Sequence, residues 1–217
     1  VLTADAFHHF GGDCLPCSKI SIMELTRCEW CNGHQIYKDY HDKEWGVPVF
    51  DDRKQFEFLT LESAQAGLSW LTVLKKRENY RKAFADFDPE KVAQYGNDKV
   101  EELLQNPGII RNRLKITSAI NNAARFLEVV EEFGSFSKYI WGFVDGKPVI
   151  NHWRSLSEVP AKTPLSDAIS KDLLKRGFRF VGSTIIYAHL QATGLVMDHV
   201  TYCHRYGDLS GNDVSLG

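Results

Sequence analysis

Four side chains near the two ends of the chain have the types and spacing of a metal site: Cys28 and His41 toward the start, His199 and Cys203 toward the end. His199 and Cys203 stand four positions apart, so on a helix both project from one face and can grip one tetrahedral Zn²⁺ completed by Cys28 and His41. Two thiolates and two imidazoles leave no open coordination position, which suits folding support rather than Lewis-acid chemistry. A rival set exists. Cys14-Leu-Pro-Cys17 and Cys28-Glu-Trp-Cys31 are two C-x-x-C pairs able to form a small zinc knob, which would leave His41, His199 and Cys203 without a role. A third reading makes His199 and Cys203 ordinary core residues of an amphipathic stretch.

The side chains suited to recognising a ligand lie between Cys28 and Trp70. Glu62 falls among Phe58, Leu59 and Ala66, where an ionised carboxylate is costly unless something satisfies it. Its other possible place is the edge of the apolar stripe, in water or paired with Lys or Arg. Trp30, Tyr37, Tyr40, Trp45 and Trp70 form a dense aromatic set, and such rings attract a cation through their quadrupole by ~0.5–2 kcal/mol. Core packing is the competing use, above all for Trp45 and Tyr37.

The elements that must position these groups read as helices. From Arg53 the apolar period is helical, with Phe56, Leu59, Ser63 and Ala66 on one face and Phe58, Glu62 and Gln65 beside it. After a break at Gly67-Leu68, Ser69 caps a second helix carrying Trp70, Val73, Leu74, Tyr80 and Phe84. Asp88-Pro89 reads as an N-cap with proline at the first helical position, and Asn97 caps a short helix through Gln105. The turn Asn106-Pro107-Gly108-Ile109-Ile110 leads into a long helix from about Arg111 to Phe133, stopped by Gly134. Helices over Ser166–Arg176 and Ser183–Thr193 follow, each ended by glycine. Only Gly142 to Ile150 has strand character, so the fold class is mainly α.

Composition excludes little but sharpens the question. With 26 basic against 28 acidic residues the net charge is −2, so a nucleic-acid partner must be met by local patches such as Lys75-Lys76-Arg77, Arg111-Asn112-Arg113 with Lys115, or Lys171 with Lys175-Arg176. Five cysteines, no signal-like opening and no apolar run of membrane-spanning length point to an intracellular, cytoplasmic setting with no membrane partner, and to a monomer. Residues 1–22 lack a sustained period and precede Met23, a natural start; they read as a flexible extension or an expression remnant.

The runs Arg-Cys-Glu-Trp (27–30), Tyr-Lys-Asp-Tyr-His-Asp-Lys-Glu-Trp-Gly-Val-Pro (37–48) and Leu-Glu-Ser-Ala-Gln-Ala-Gly-Leu-Ser-Trp (61–70) carry a family resemblance. So do Pro-Gly-Ile-Ile-Arg-Asn-Arg (107–113), Lys-Arg-Gly-Phe-Arg-Phe-Val-Gly-Ser-Thr (175–184) and Asp-His-Val (198–200). Together they resemble the type I DNA-3-methyladenine glycosylases of the helix-hairpin-helix superfamily, over roughly residues 23–206. The resemblance implies a glycosylase domain over 23–208 with a helix-hairpin-helix unit near 98–133, terminal regions joined by zinc, and a tail over 209–217. It implies a monofunctional enzyme that flips 3-methyladenine out of alkylated double-stranded DNA and hydrolyses its glycosidic bond. It also implies one structural Zn²⁺ on Cys28, His41, His199 and Cys203, Glu62 as the base-reading catalytic carboxylate, Tyr40 and Trp70 as pocket walls, and Trp30, Trp45 and Tyr37 as flanking aromatics.

The chemistry is consistent with that assignment. Alkylation at N3 puts positive charge on the purine, so its departure as a neutral base needs little general-acid help. Extrusion costs least for a weakly paired lesion, which itself aids selection. The hairpin would place the Gly108 backbone, Arg111 and Arg113 against a DNA phosphate. The chain departs from the superfamily in having Ile110 where a second glycine is usual, Asn112 where lyase-competent relatives carry lysine, and no aspartate between Phe126 and Gly134. Strand nicking through a Schiff base is therefore not expected. Two other classes stay open: a non-catalytic protein that binds alkylation lesions, and a zinc-binding interaction module.

Overall fold

The computed structural model describes residues 25–211. The extension 1–22, with Cys14 and Cys17, lies outside them. Eleven helices are described: α1 (Gln35–Lys43), α2 (Asp52–Gln65), α3 (Trp70–Leu74), α4 (Arg77–Ala83), α5 (Pro89–Val92), α6 (Asn97–Gln105), α7 (Arg113–Phe133), α8 (Phe136–Trp141), α9 (Pro164–Lys175), α10 (Ser183–Ala192) and α11 (His204–Ser210). Two short strands, β1 (Val149–Ile150) and β2 (Val196–Met197), pair in parallel. The chain is mainly helical, and the expected tail from 209 begins inside α11 rather than after it.

α2 is the axis of the fold. Asp51 caps it by accepting from the Lys54 N–H at 2.8 Å, and α3, α7, α8 and α10 pack around it. Every residue from Gln55 to Ala64 is buried, so the one-sided stripe expected from the sequence is in fact a helix covered on all sides. Its polar side chains must then find partners inside. Gln55 donates to the Val49 carbonyl and bonds His189, and Ser63 donates to the Leu59 and Phe180 carbonyls.

Local chemistry sets the other boundaries. Ser69 caps α3 through Thr72, and Asp88 caps α5 with Pro89 at its first position. The single helix expected after Ser69 is split between α3 and α4 at Lys75-Lys76. Asn112, not Arg111, starts the long helix, because its side-chain oxygen accepts from the Lys115 N–H. At the far end Gly134 takes the left-handed conformation (φ +82°) that stops α7.

The pairing of β1 with β2 has no signal in two-residue strands. Its neighbour Gly194 has φ +70°, and a Cβ there would lie 2.4 Å from the backbone of Val47 and Pro48. Glycine thus lets the α10–β2 connection pass against the segment after α1, where Gly46 and Val49 N–H groups donate to the Gln191 and Thr193 carbonyls. Early and late parts of the described chain meet there. Beneath the meeting point Cys28, Tyr40, Trp45, Phe58, Leu74, Ala192, Val200 and Cys203 form a second, smaller core.

Candidate functional site

Cys28, His41, His199 and Cys203 converge in that small core, all buried, with their ligand atoms within 4.8 Å of one another. The helix expected across 199–203 is absent. The segment leaves β2 in extended and turn conformation, and Cys203 stands just before α11. The sulfur–nitrogen separations are 3.7 Å (Cys28–His199), 3.5 Å (Cys203–His199) and 3.4 Å (Cys203–His41). Tetrahedral bonds of metal–sulfur and metal–nitrogen length around one zinc-sized ion would set them at about 3.6 Å.

The outer partners agree with that arrangement. His41 Nδ1 bonds Asp42 at 2.8 Å, itself clamped by Arg27, and His199 Nε2 donates to the Trp45 carbonyl at 3.0 Å. Each ring therefore turns its lone pair inward, His41 through Nε2 and His199 through Nδ1, as metal-bound imidazoles do. The hydrogen bond from the Cys28 thiol pulls Cys203 below the ordinary thiol range. Cys31 is not part of the cluster: its thiol donates to the Cys28 carbonyl at 3.1 Å.

A cavity of about 210 Å³ opens beside this cluster, lined by Trp30, Tyr40, Trp45, Glu62, Trp70 and Gln191, with Leu156 and Val159 closing one side. Tyr40 and Trp70 stand 5.4 Å apart at 54°, and Trp30 meets Trp45 at 5.1 Å nearly edge-on. Trp45 in turn packs on His199 at 4.6 Å, so the metal-capable cluster and the cavity share a wall. The indole N–H groups of Trp30 and Trp70 are buried with no partner among the described residues. Tyr37 is not among the lining residues. Its hydroxyl accepts from the Leu71 N–H at 2.8 Å and its ring buttresses Trp30, tying α1 to α3.

Glu62 enters from the last turn of α2 and is only 4% exposed. Burial pushes its carboxyl up to about 8, with no ion pair to counter it among the described residues. The Tyr40 phenol is pushed well above its ordinary range, first by burial and then by the charge of Glu62. The site thus holds a carboxyl group whose ionisation awaits a donor or a cation.

A second chamber continues from Glu62 past Gln65 and Ala66 to Gly67, Leu68, Thr184 and Ile185. Gly67 (φ +76°) turns the chain there and leaves Leu68 40% exposed. Lys115, from the first turn of α7, donates to the Ala64 and Ala66 carbonyls at 2.8 and 2.5 Å and ties down this lip.

The turn between α6 and α7 lies beyond it. The Gly108 N–H donates to Asn106 Oδ1 at 2.8 Å, the Ile110 N–H to the Tyr80 hydroxyl, and Lys76 to the Pro107 carbonyl. Arg111 is exposed, whereas Arg113 is paired with Glu101 at 2.7 Å. Two of the basic patches marked in the sequence are partly structural. Arg77 is buried on Glu57 and Glu44, and Arg176 pairs with Glu132 and Asp172 between the rings of Phe133 and Tyr139. The sequence gives no sign of Leu156, Val159 or Gln191 as lining residues, since the first two belong to a single 3₁₀ turn between β1 and α9 that has no period to read and the third lies on a helix read only as a helix.

A mainly helical fold encloses an aromatic cavity with one buried carboxyl that has no partner among the described residues, a setting suited to a flat cationic ligand, and comparison with known proteins narrows it. Residues 30–206 match the methyladenine glycosylase family, and the chain belongs to that family. It is 50% identical over 182 residues to DNA-3-methyladenine glycosylase 1 of Escherichia coli, covering 84% of this chain and 97% of that one. A crystal structure of a 3-methyladenine DNA glycosylase I superposes with a TM-score of 0.80 at 53% identity, covering 82% of this chain and 98% of the other. The Staphylococcus aureus 3-methyladenine DNA glycosylase I, in a structure addressing 3-methyladenine recognition, matches with a TM-score of 0.81 at 38% identity over 83% of this chain and 96% of that one.

Proposed function

We propose that the chain is a monofunctional DNA glycosylase that takes 3-methyladenine out of alkylated duplex DNA and hydrolyses its bond to deoxyribose. The observation that carries this reading is Glu62: a buried carboxyl without a partner among the described residues, at the wall of an aromatic cavity in a member of the methyladenine glycosylase family. A methylated adenine supplies what Glu62 lacks, an exocyclic amine to donate and a positive ring to neutralise it. Tyr40, Trp70, Trp30 and Trp45 surround the flat cation, and excluding water strengthens each interaction. Because the alkylated base already leaves easily, recognition and extrusion supply most of the rate.

On the DNA side, the turn 106–112 with Gly108, Arg111 and Arg113 is the phosphate-facing unit in this reading. The Gly108 amide is engaged with Asn106 and Arg113 with Glu101, so Arg111 is the readiest charge. The exposed Leu68 beside the mouth is the apolar side chain suited to filling the gap an extruded base leaves. Asn112 cannot form a Schiff base, so the strand stays intact.

Cys28, His41, His199 and Cys203 would hold one structural zinc, whose chemistry is to cross-link the two ends of the chain with no position left for substrate. Metal analysis is expected to return one equivalent of zinc. Cys203→Ala is expected to lose the metal and lower the melting temperature while keeping base release in the cold. A Cys203→Ala protein that melts like the parent yet is inactive would contradict a structural role.

The function is tested by incubating the protein with methylated duplex DNA and resolving the released bases by chromatography, with a strand-nicking check. Release of 3-methyladenine with an intact strand is expected. No released base from zinc-replete, folded protein would refute it.

A further inference from the structure

Asp198, immediately after β2, is fully buried and accepts four hydrogen bonds. Asn151 Nδ2 and Trp153 Nε1 reach Oδ1 at 2.7 Å, and Gln191 Nε2 at 2.7 Å and the Tyr187 hydroxyl reach Oδ2. An indole N–H only donates, and a carboxylate accepts, so this hub has no hydrogen to offer Gln191. The Gln191 amide therefore has one orientation. Its NH₂ is spent on Asp198, and its Oε1 is turned away.

Gln191 lines the same cavity as Glu62, is half-buried, and makes no hydrogen bond through Oε1 among the described residues. The same hub holds the start of the segment between β1 and α9 whose Leu156 and Val159 line the cavity, because Asn151 and Trp153 are two of its four donors.

We propose that Gln191 is a specificity-determining residue whose Oε1 accepts from the amine-bearing edge of the bound purine, and that Asp198 is the positioning residue that forbids the amide to turn over. The proposal rests on the glycosylase reading above. A free glutamine amide reads an amine or a carbonyl equally well by rotating; one locked by a carboxylate presents an acceptor only. Adenine-type purines carry an amine at C6 where guanine-type purines carry a carbonyl. Gln191 offers only an acceptor, so the amine finds a partner there and the carbonyl meets oxygen, a mismatch that leaves buried polar groups unpaired.

The test is release of 3-methyladenine and 3-methylguanine from methylated duplex DNA by the parent, Gln191→Met and Asp198→Asn, with thermal melting of each. Gln191→Met, of similar length, is expected to lose about tenfold on 3-methyladenine and little on 3-methylguanine. Asp198→Asn can donate as well as accept, so it frees the amide to turn and is expected to raise 3-methylguanine release relative to 3-methyladenine. Equal losses on both bases in Gln191→Met, with melting unchanged, would overturn the proposal; if Asp198→Asn fails to fold, that comparison decides alone. Should the parent release neither base, the glycosylase reading itself falls, and this inference with it. An active parent whose base ratio is unmoved by Gln191→Met overturns the inference only.

Discussion

Two buried carboxylates on α2, Glu57 and Glu62, lie little more than one turn apart and have opposite surroundings. Glu57 takes Arg77 at 2.7 Å, Arg81 at 2.8 Å and Lys54 at 3.0 Å, and Arg77 also forks onto Glu44. Burial pushes its carboxyl up, but the Arg77 hydrogen bond and charge outweigh that and hold it below the ordinary carboxylate value. Glu62 has burial alone and is pushed up to about 8. The helix is equally covered at both positions, so the difference is one of partners. A satisfied buried charge stabilises the fold, and an unsatisfied one is held ready for something that arrives from outside.

The largest effect should come from the satisfied end. Glu57→Gln leaves two arginines against a neutral amide and is expected to destabilise by about 3 kcal/mol, read from urea unfolding, with little change in base release by the protein that remains folded. Glu62→Gln should do the reverse. Base release is expected to fall about 10- to 100-fold, the worth of a hydrogen bond to a charged group, while the fold tightens at alkaline pH.

The sign of that tightening follows from proton counting. Between about 4.5 and 8 the unfolded chain has lost the Glu62 proton and the folded chain keeps it, so stability contributed at this position falls as pH rises through that window. Glutamine removes the penalty, and the melting temperature of Glu62→Gln over the parent should grow from pH 5 to pH 8 and then level. Glu57 runs the other way: its contribution is full above about 4.5 and is lost as pH falls. A Glu62→Gln advantage independent of pH would break the contrast.

Trp70→Ala should weaken base binding by ~1–3 kcal/mol, as stacking platforms do, measured by titration with free 3-methyladenine. The smallest effect is expected from Lys115→Met, which unties the lip at Ala64 and Ala66 and should cost about 1 kcal/mol of stability with a several-fold loss in base release. Unchanged release in that variant would separate the lip from the cavity.

Much of the site could be read from residue order because it is local: Asp88-Pro89, Ser69 and Gly134 act within one turn of chain, and the motif around Glu62 and Trp70 is continuous. What escaped is non-local. The expected helix at 199–203 is extended and turn because β2, two residues long, pairs with β1 some 47 positions earlier, and such strands have no period to detect. Arg77 read as surface charge beside Lys75 and Lys76, yet it faces inward because Glu44 and Glu57, on other parts of the chain, await it. Gln191 and Asp198 look like any polar residues until four donors are seen on one carboxylate.

The most direct test is the titration of Glu62 itself, followed by the side-chain carboxyl ¹³C shift with and without 3-methyladenine. A midpoint near 8 in the free protein, falling when the base binds and its amine donates to the carboxylate, is the expected result. A midpoint at the ordinary glutamate value in the free protein, unmoved by the base, would mean that Glu62 is already satisfied and is not the group that reads it.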